Sequence, residues 1–210
     1  AAVIVEILND DGTMARRPDL EVFARQHGLK IGTIADLIRY RLEKERSVER
    51  IAERDVETEF GRFRLHCYED HVNSTVHLAL VRGAIDRERA PLVRVHLMDT
   101  VRDLVGVREE TYSWSLRSAM ERVAREGMGV VVLLRPEETP LEIAEAVRTP
   151  ERSGTYTKVK GAQVLRTYGI GAQILRDLGI SHMRVLSAPK QMHGLSAFGL
   201  EVTEYVDAST

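Results

Sequence analysis

Cysteine is nearly missing from this chain: Cys67 is the only one among 210 residues. No intrachain disulfide framework can form, which fits a reducing, cytoplasmic setting. An excess of charge is missing too. Lys and Arg number 30 against 32 Asp and Glu, a formal net charge of −2. Nothing electrostatic therefore points to nucleic acid or an anionic membrane as partner. Long apolar runs are also lacking, so no segment reads as a bilayer span. The opening AAVIVEIL has no initiator Met and none of the basic-then-apolar grammar of a signal peptide. It is expected to begin inside a β-strand of something longer. What remains is ordinary globular material, 43% hydrophobic and 30% charged. The length suffices for one large domain, or one with a smaller companion.

Short apolar runs alternate with amphipathic stretches, which sets the class as α/β, mixed α and β. Val3–Leu8 reads as a strand ended by the turn Asn9-Asp10-Asp11-Gly12. Arg17-Pro18-Asp19 is expected to open a helix, Leu20–His27, which Gly28 stops. Another helix is expected from Thr33 to about Arg46, with Ile34, Leu37, Ile38 and Leu42 at helical spacing. The charged tail RLEKERSVERIAERD reads as a helical or stiff linker. Beyond it, strands are expected around Phe60–Cys67, at His77–Arg82, Leu92–His96, Met128–Arg135, Met183–Leu186 and Leu200–Tyr205. Helices are expected at Trp114–Arg125 and Tyr168–Leu178, with a polar stretch over Pro136–Thr157.

Two sets of motifs are specific. Residues 1–41 contain NDDGTMAR and IGTIADLIRYR, and they resemble the end of 3,4-dihydroxy-2-butanone 4-phosphate synthase. Residues 56–206 run from FGRFR through RTYGIGAQILRDL to GLEVTEYV, and they are similar to GTP cyclohydrolase II. The resemblance implies a remnant of the synthase α/β domain at 1–46, a linker at 47–55 and a cyclohydrolase II-like domain at 56–206. It also implies a bifunctional riboflavin-biosynthesis parent in which a synthase domain is covalently attached.

The cyclohydrolase family holds zinc with three cysteines, and Cys67 is not at any of their positions. One family cysteine follows the His of Val93-Arg94-Val95-His96 by three residues, and two form a Cys-Asp-Cys triplet before the next helix. Those positions fall on Asp99, Glu110 and Tyr112. Carboxylates are hard ligands and a phenol is a poor one at neutral pH. Zinc is therefore expected to be absent, and Asp99 and Glu110 read as solvated loop acids. The family's glycine-rich nucleotide loop is replaced by LLRPEETPLEIA, in which Arg135 and Glu138 remain while two prolines enter. Arg166 matches the family's arginine nucleophile, although without its partners it also reads as a surface or packing residue. Ser187 and Lys190 occupy the family's nucleotide-binding turn, here shortened to Ser-Ala-Pro-Lys. Arg135, Glu138, Ser187 and Lys190 are thus carried as substrate-binding remnants.

In the synthase resemblance, Glu6 matches a carboxylate that takes part in proton transfer on ribulose 5-phosphate. Mg²⁺ is expected only in the intact synthase, because the family's metal-binding loops are not in this sequence. The favoured expectation is a non-catalytic cyclohydrolase-like domain that supports its synthase structurally or allosterically. The alternative is an active GTP cyclohydrolase II with an altered, zinc-free site. Val3, Val5 and Ile7 would expose an unpaired apolar strand. Residues 1–41 are therefore expected to be either disordered or docked against another copy, together with Ile34, Leu37 and Ile38. The cyclohydrolase resemblance also implies a dimer, and a homodimer is the expected assembly.

Overall fold

The computed structural model describes residues 4–33, 36–37, 40, 45–86, 89–107, 114–148, 161–189 and 195–208, with residues 161–166, 168, 196 and 197 described by their backbone only. The chain divides into two compact units, Ala1–Leu37 and Ile38–Thr210.

In the first unit the expected turn is present. Gly12, at φ +84°, closes it by donating its amide to the Asn9 carbonyl at 2.8 Å. The strand expected before it does not form over the described residues. A single antiparallel bridge, Leu8 to Met14, stands there instead, and Val5 is 73% exposed. The reason is pairing: a strand needs a ladder, and the described residues of this unit offer one rung. Helix α1, Arg17–Gln26, opens at the Arg17-Pro18-Asp19 triplet, as expected. Pro18 sits in its first turn, and the Arg16 amide donates to the Asp19 carboxylate at 2.8 Å. Gly28, at φ +62°, follows its end. Of the helix expected from Thr33, Asp36, Leu37 and Tyr40 are helical, and Ile34, Ile38 and Leu42 lie outside the described residues.

The second unit is built on a seven-stranded sheet. Its elements in chain order are β1 Val48–Thr58, β2 Gly61–Asp70, β3 Thr75–Arg82, β4 Leu92–Leu97, a π-helical turn Thr100–Leu104, α2 Leu116–Glu126, β5 Gly129–Leu134, α3 Pro140–Arg148, α4 Gly161–Asp177, β6 His182–Leu186, a 3₁₀ turn Leu195–Phe198 and β7 Glu201–Val206. Strand order is β1-β2-β3-β5-β4-β6-β7. The pairs β1–β2, β2–β3 and β3–β5 are antiparallel, and β5–β4, β4–β6 and β6–β7 are parallel.

The segment expected to be a helical or stiff linker is a correction. Residues 48–58 form the first strand, in register with β2 from Val48–Asp70 to Thr58–Gly61. Glu and Arg dominate it because it lies at the sheet edge, where seven consecutive residues from Glu49 are exposed. Tertiary pairing overrode the local helix preference of Glu and Arg.

Both sheet faces carry a core. One joins Tyr68, Ala79, Val93, Val130 and Val132 to Ile174 and Leu175 of α4. The other joins Phe63, Leu80, Leu92 and Val131 to Ala119 and Val123 of α2 and to Trp114. The indole of Trp114 donates to the Val206 carbonyl at 3.0 Å, satisfying its buried N–H. All six residues of β5 are buried, as a central strand covered on both faces requires. Gly129 begins that strand because a Cβ there would stand 2.5 Å from the Leu92 carbonyl oxygen. Helix α3 lies in the segment expected to be merely polar. Thr139 and Glu142 cap it reciprocally: the Glu142 carboxylate accepts from the Thr139 amide at 2.7 Å, and the Thr139 hydroxyl accepts from the Glu142 amide at 3.3 Å.

Candidate functional site

Strands β4, β5 and β6 run parallel, so their carboxyl ends share one edge of the sheet. Chain order also reverses here: β4 is followed by β5 on one side and then by β6 on the other. Open α/β sheets bind ligands at such reversals. Asp99 follows β4, Arg135 and Glu138 follow β5, and Ser187 follows β6. The fold therefore assigns four of the candidate residues to one edge.

Three of those side chains, Asp99, Glu138 and Ser187, are bonded within the protein itself. Asp99 is a correction to the expected solvated acid, because it is 6% exposed. Its carboxylate accepts from the Arg102 amide at 2.9 Å and caps the π-helical turn. The Asp99 amide donates in turn to Asp103 Oδ2 at 2.9 Å. The same Asp103 oxygen lies 2.8 Å from Nε2 of His96, which is fully buried on β4. Burial works against the Asp103 carboxylate, but His96, the Asp99 amide and Arg102 outweigh it and hold its pKa below the usual value. Glu138 is bound similarly. Its carboxylate accepts from the Thr100 amide at 3.2 Å and from the Thr100 hydroxyl, tying the segment after β5 to the turn after β4.

Arg94 runs beneath this edge, donating to the Leu186 carbonyl at 2.8 Å and the Trp114 carbonyl at 3.2 Å. Burial, and after it the charge of Arg102, pull its pKa down to about 10. It stays cationic at neutral pH. The Arg135 side chain is exposed, while its amide donates to His77 Nδ1 at 3.1 Å. Ser187 is 7% exposed, and its hydroxyl donates to the Ala188 carbonyl at 2.9 Å. Glu6 is exposed and belongs to the first compact unit. Glu110, Tyr112 and Lys190 lie outside the described residues, as does the side chain of Arg166, whose backbone is in α4. Among the described residues, no three His, Cys, Asp or Glu side chains are grouped to hold a metal ion.

Sequence reading missed Asp103, Arg94, Thr100 and His77. A second polar network was missed entirely. Tyr68, fully buried on β2, donates to Asp177 Oδ2 at 2.9 Å, and Arg50 of β1 reaches the same oxygen at 2.6 Å. Arg46 holds the other oxygen at 2.6 Å. These bonds fasten α4 to the antiparallel edge of the sheet. Burial, and then the bonded Asp177, drive the Tyr68 pKa upward.

The sheet order, the two cores and the polar edge define a mixed α/β domain. Residues 49–207 match the family model of GTP cyclohydrolase II, and residues 1–40 match that of 3,4-dihydroxy-2-butanone 4-phosphate synthase. The chain belongs to the GTP cyclohydrolase II family, preceded by a fragment of the synthase family. Among similar proteins, a 3,4-dihydroxy-2-butanone 4-phosphate synthase of Pseudomonas aeruginosa is 50% identical over 99% of this chain and 56% of its own length. A riboflavin biosynthesis protein RibBA of Aquifex aeolicus is 41% identical over 98% of this chain and 53% of its own length. Among solved structures, RibBX of A. baumannii, titled a two domain 3,4-dihydroxy-2-butanone 4-phosphate synthase, superposes with a TM-score of 0.69. It is 40% identical, covering 95% of this chain and 52% of that one. The chain thus spans about half the length of the relatives it matches. Among the described residues, no helix is long and apolar enough to cross a membrane.

Proposed function

We propose that this chain is the C-terminal part of a riboflavin-biosynthesis protein whose intact form makes 3,4-dihydroxy-2-butanone 4-phosphate from ribulose 5-phosphate with Mg²⁺. In this proposal the cyclohydrolase-like domain is non-catalytic and supports the attached synthase, structurally or as a regulator. The parent works in the cytoplasm as a homodimer, and this part uses neither nucleic acid nor membrane.

One observation carries the proposal: the Asp99 carboxylate accepts the Arg102 amide and caps a turn, instead of standing free at the strand end. A zinc site needs convergent donors with open lone pairs. The three positions that would supply them hold two carboxylates and a phenol, Asp99, Glu110 and Tyr112. This set does not fit zinc. The neighbouring support is similar, since Glu138 is bound to Thr100 and prolines stand where a phosphate-wrapping loop needs glycine.

Metal analysis of the purified chain coupled to a GTP-turnover assay tests the proposal. We expect no stoichiometric zinc, no formate from GTP and no four-carbon phosphate from ribulose 5-phosphate, since Glu6 lacks its metal loops here. GTP turnover lost on changing Asp99 and Glu110 would establish the active, altered cyclohydrolase instead.

A further inference from the structure

Strand β3 puts His77 between β2 and the segment that leaves β5. It is 3% exposed and stands opposite Tyr68 in the β2–β3 register. The Arg135 amide donates to its Nδ1 at 3.1 Å. An amide N–H only donates, so Nδ1 is an unprotonated acceptor and the ring proton belongs on Nε2. That nitrogen has no hydrogen-bond partner among the described residues, and Asp70 Oδ2 stands 3.8 Å away. Asp70 is itself fully buried, accepting from the Val72 amide at 2.9 Å and from Asn73 Nδ2 at 2.5 Å. The ionisable groups facing His77 are therefore Tyr68 and Asp70 from β2 and Arg135 from the segment after β5.

We propose that His77 is a pH-sensitive latch. When neutral it holds the Arg135 amide, and with it residues 135–139, against the sheet; when protonated it releases them. A proton on Nδ1 would bring two N–H groups face to face at the position of the present bond. The imidazolium gains instead by turning Nε2 toward the Asp70 carboxylate, an approach the 3.8 Å gap leaves open. Release frees the Glu138 carboxylate from the geometry that binds Thr100, so the change reaches the strand edge. Burial foremost, and then the Arg135 charge, lower the His77 pKa, while Asp70 opposes them. For a base lowered by folding, the contribution to stability is full above the unfolded value of 6.5 and is lost as pH falls through the folded one. The latch does not depend on whether the domain turns over GTP.

Nitrogen NMR and amide exchange on the whole 210-residue chain test this. At about pH 7.5 the ring should be the Nε2–H tautomer, and between there and about pH 5 the corrected protection of the Arg135 amide should fall about tenfold or more, the scale of one buried hydrogen bond. Amides within β5 should keep theirs. H77N, whose side-chain oxygen can accept from Arg135 without titrating, should hold that protection constant with pH. D70N should move the release to lower pH. An Nδ1–H tautomer near neutrality, or the same Arg135 profile in wild type and H77N, would overturn the proposal. Should either variant fail to fold, the wild-type tautomer and Arg135 profile decide alone.

Discussion

Strand β5 and the five residues that follow it differ sharply. Gly129 to Leu134 are all buried in the middle of the sheet, held by packing on both faces. From Arg135 to Thr139 the chain is partly exposed, and its order comes from named polar bonds to His77, Thr100 and Glu142. The same contrast recurs where β4 gives way to Asp99 and β6 to Ser187. Apolar packing fixes the strands, and polar bonding within the protein fixes the edge where a ligand would be met. Groups that donate and accept among themselves hold loops in place, and they have correspondingly less to offer a substrate.

That contrast can be tested from its strongest side downward. L134A, in the buried end of β5, should cost about 2–5 kcal/mol, seen as a lower urea midpoint with unchanged slope. A smaller loss would mean that the strand is less tightly packed than its burial implies. D177A, which leaves the buried Tyr68 hydroxyl and Arg50 without their acceptor, should cost about 1–3 kcal/mol. Y68F combined with D177A should then lose less than the sum of the two, because the bond is shared.

D99A should cost about 1 kcal/mol, as the loss of a turn cap does, and should leave the zinc content of the purified chain unchanged. A change in bound zinc would show that the edge is not purely structural. The smallest effect concerns pH. Asp103 has a lowered pKa in the folded state, so its contribution is full above the model-compound value of 3.8 and is lost as pH falls through the lower folded value. D103N should flatten that part of the stability profile, and an unaltered acid limb would detach His96–Asp103 from the stability of the edge.

Much of the fold was legible from periodicity. Strands β3 to β7 and helix α2 lie where short apolar runs and helical spacing put them, within a few residues, whereas α4 starts at Gly161, two turns before the expected Tyr168. Helix α3 falls in a stretch that reads as polar, although Thr139-Pro140-Leu141-Glu142 carries a capping box with proline at the first helical position. The strand β1 was misread because VERIAERDVE has the composition of an exposed helix. Only its edge position lets such a segment be a strand. At the candidate site, Asp99, Arg135, Glu138 and Ser187 were found through motif resemblance. Their bonding partners Arg102, His77 and Thr100 carry no motif of their own, and the first two are brought close by the sheet and the turn.

The sequence by itself determined the two-family organisation, the positions of the apolar strands and the residue types at positions 99, 110 and 112, because these are properties of residue identity and spacing. Tertiary structure alone decided that the charged segment from Val48 is a sheet edge and that Asp99 is a buried cap. It also decided that His77 faces Asp70 and Arg135. Hydrogen bonds and burial depend on which residues meet across strands far apart in the chain: His77 and Arg135 are 58 residues apart, and Tyr68 and Asp177 are 109 apart. No local pattern encodes such meetings.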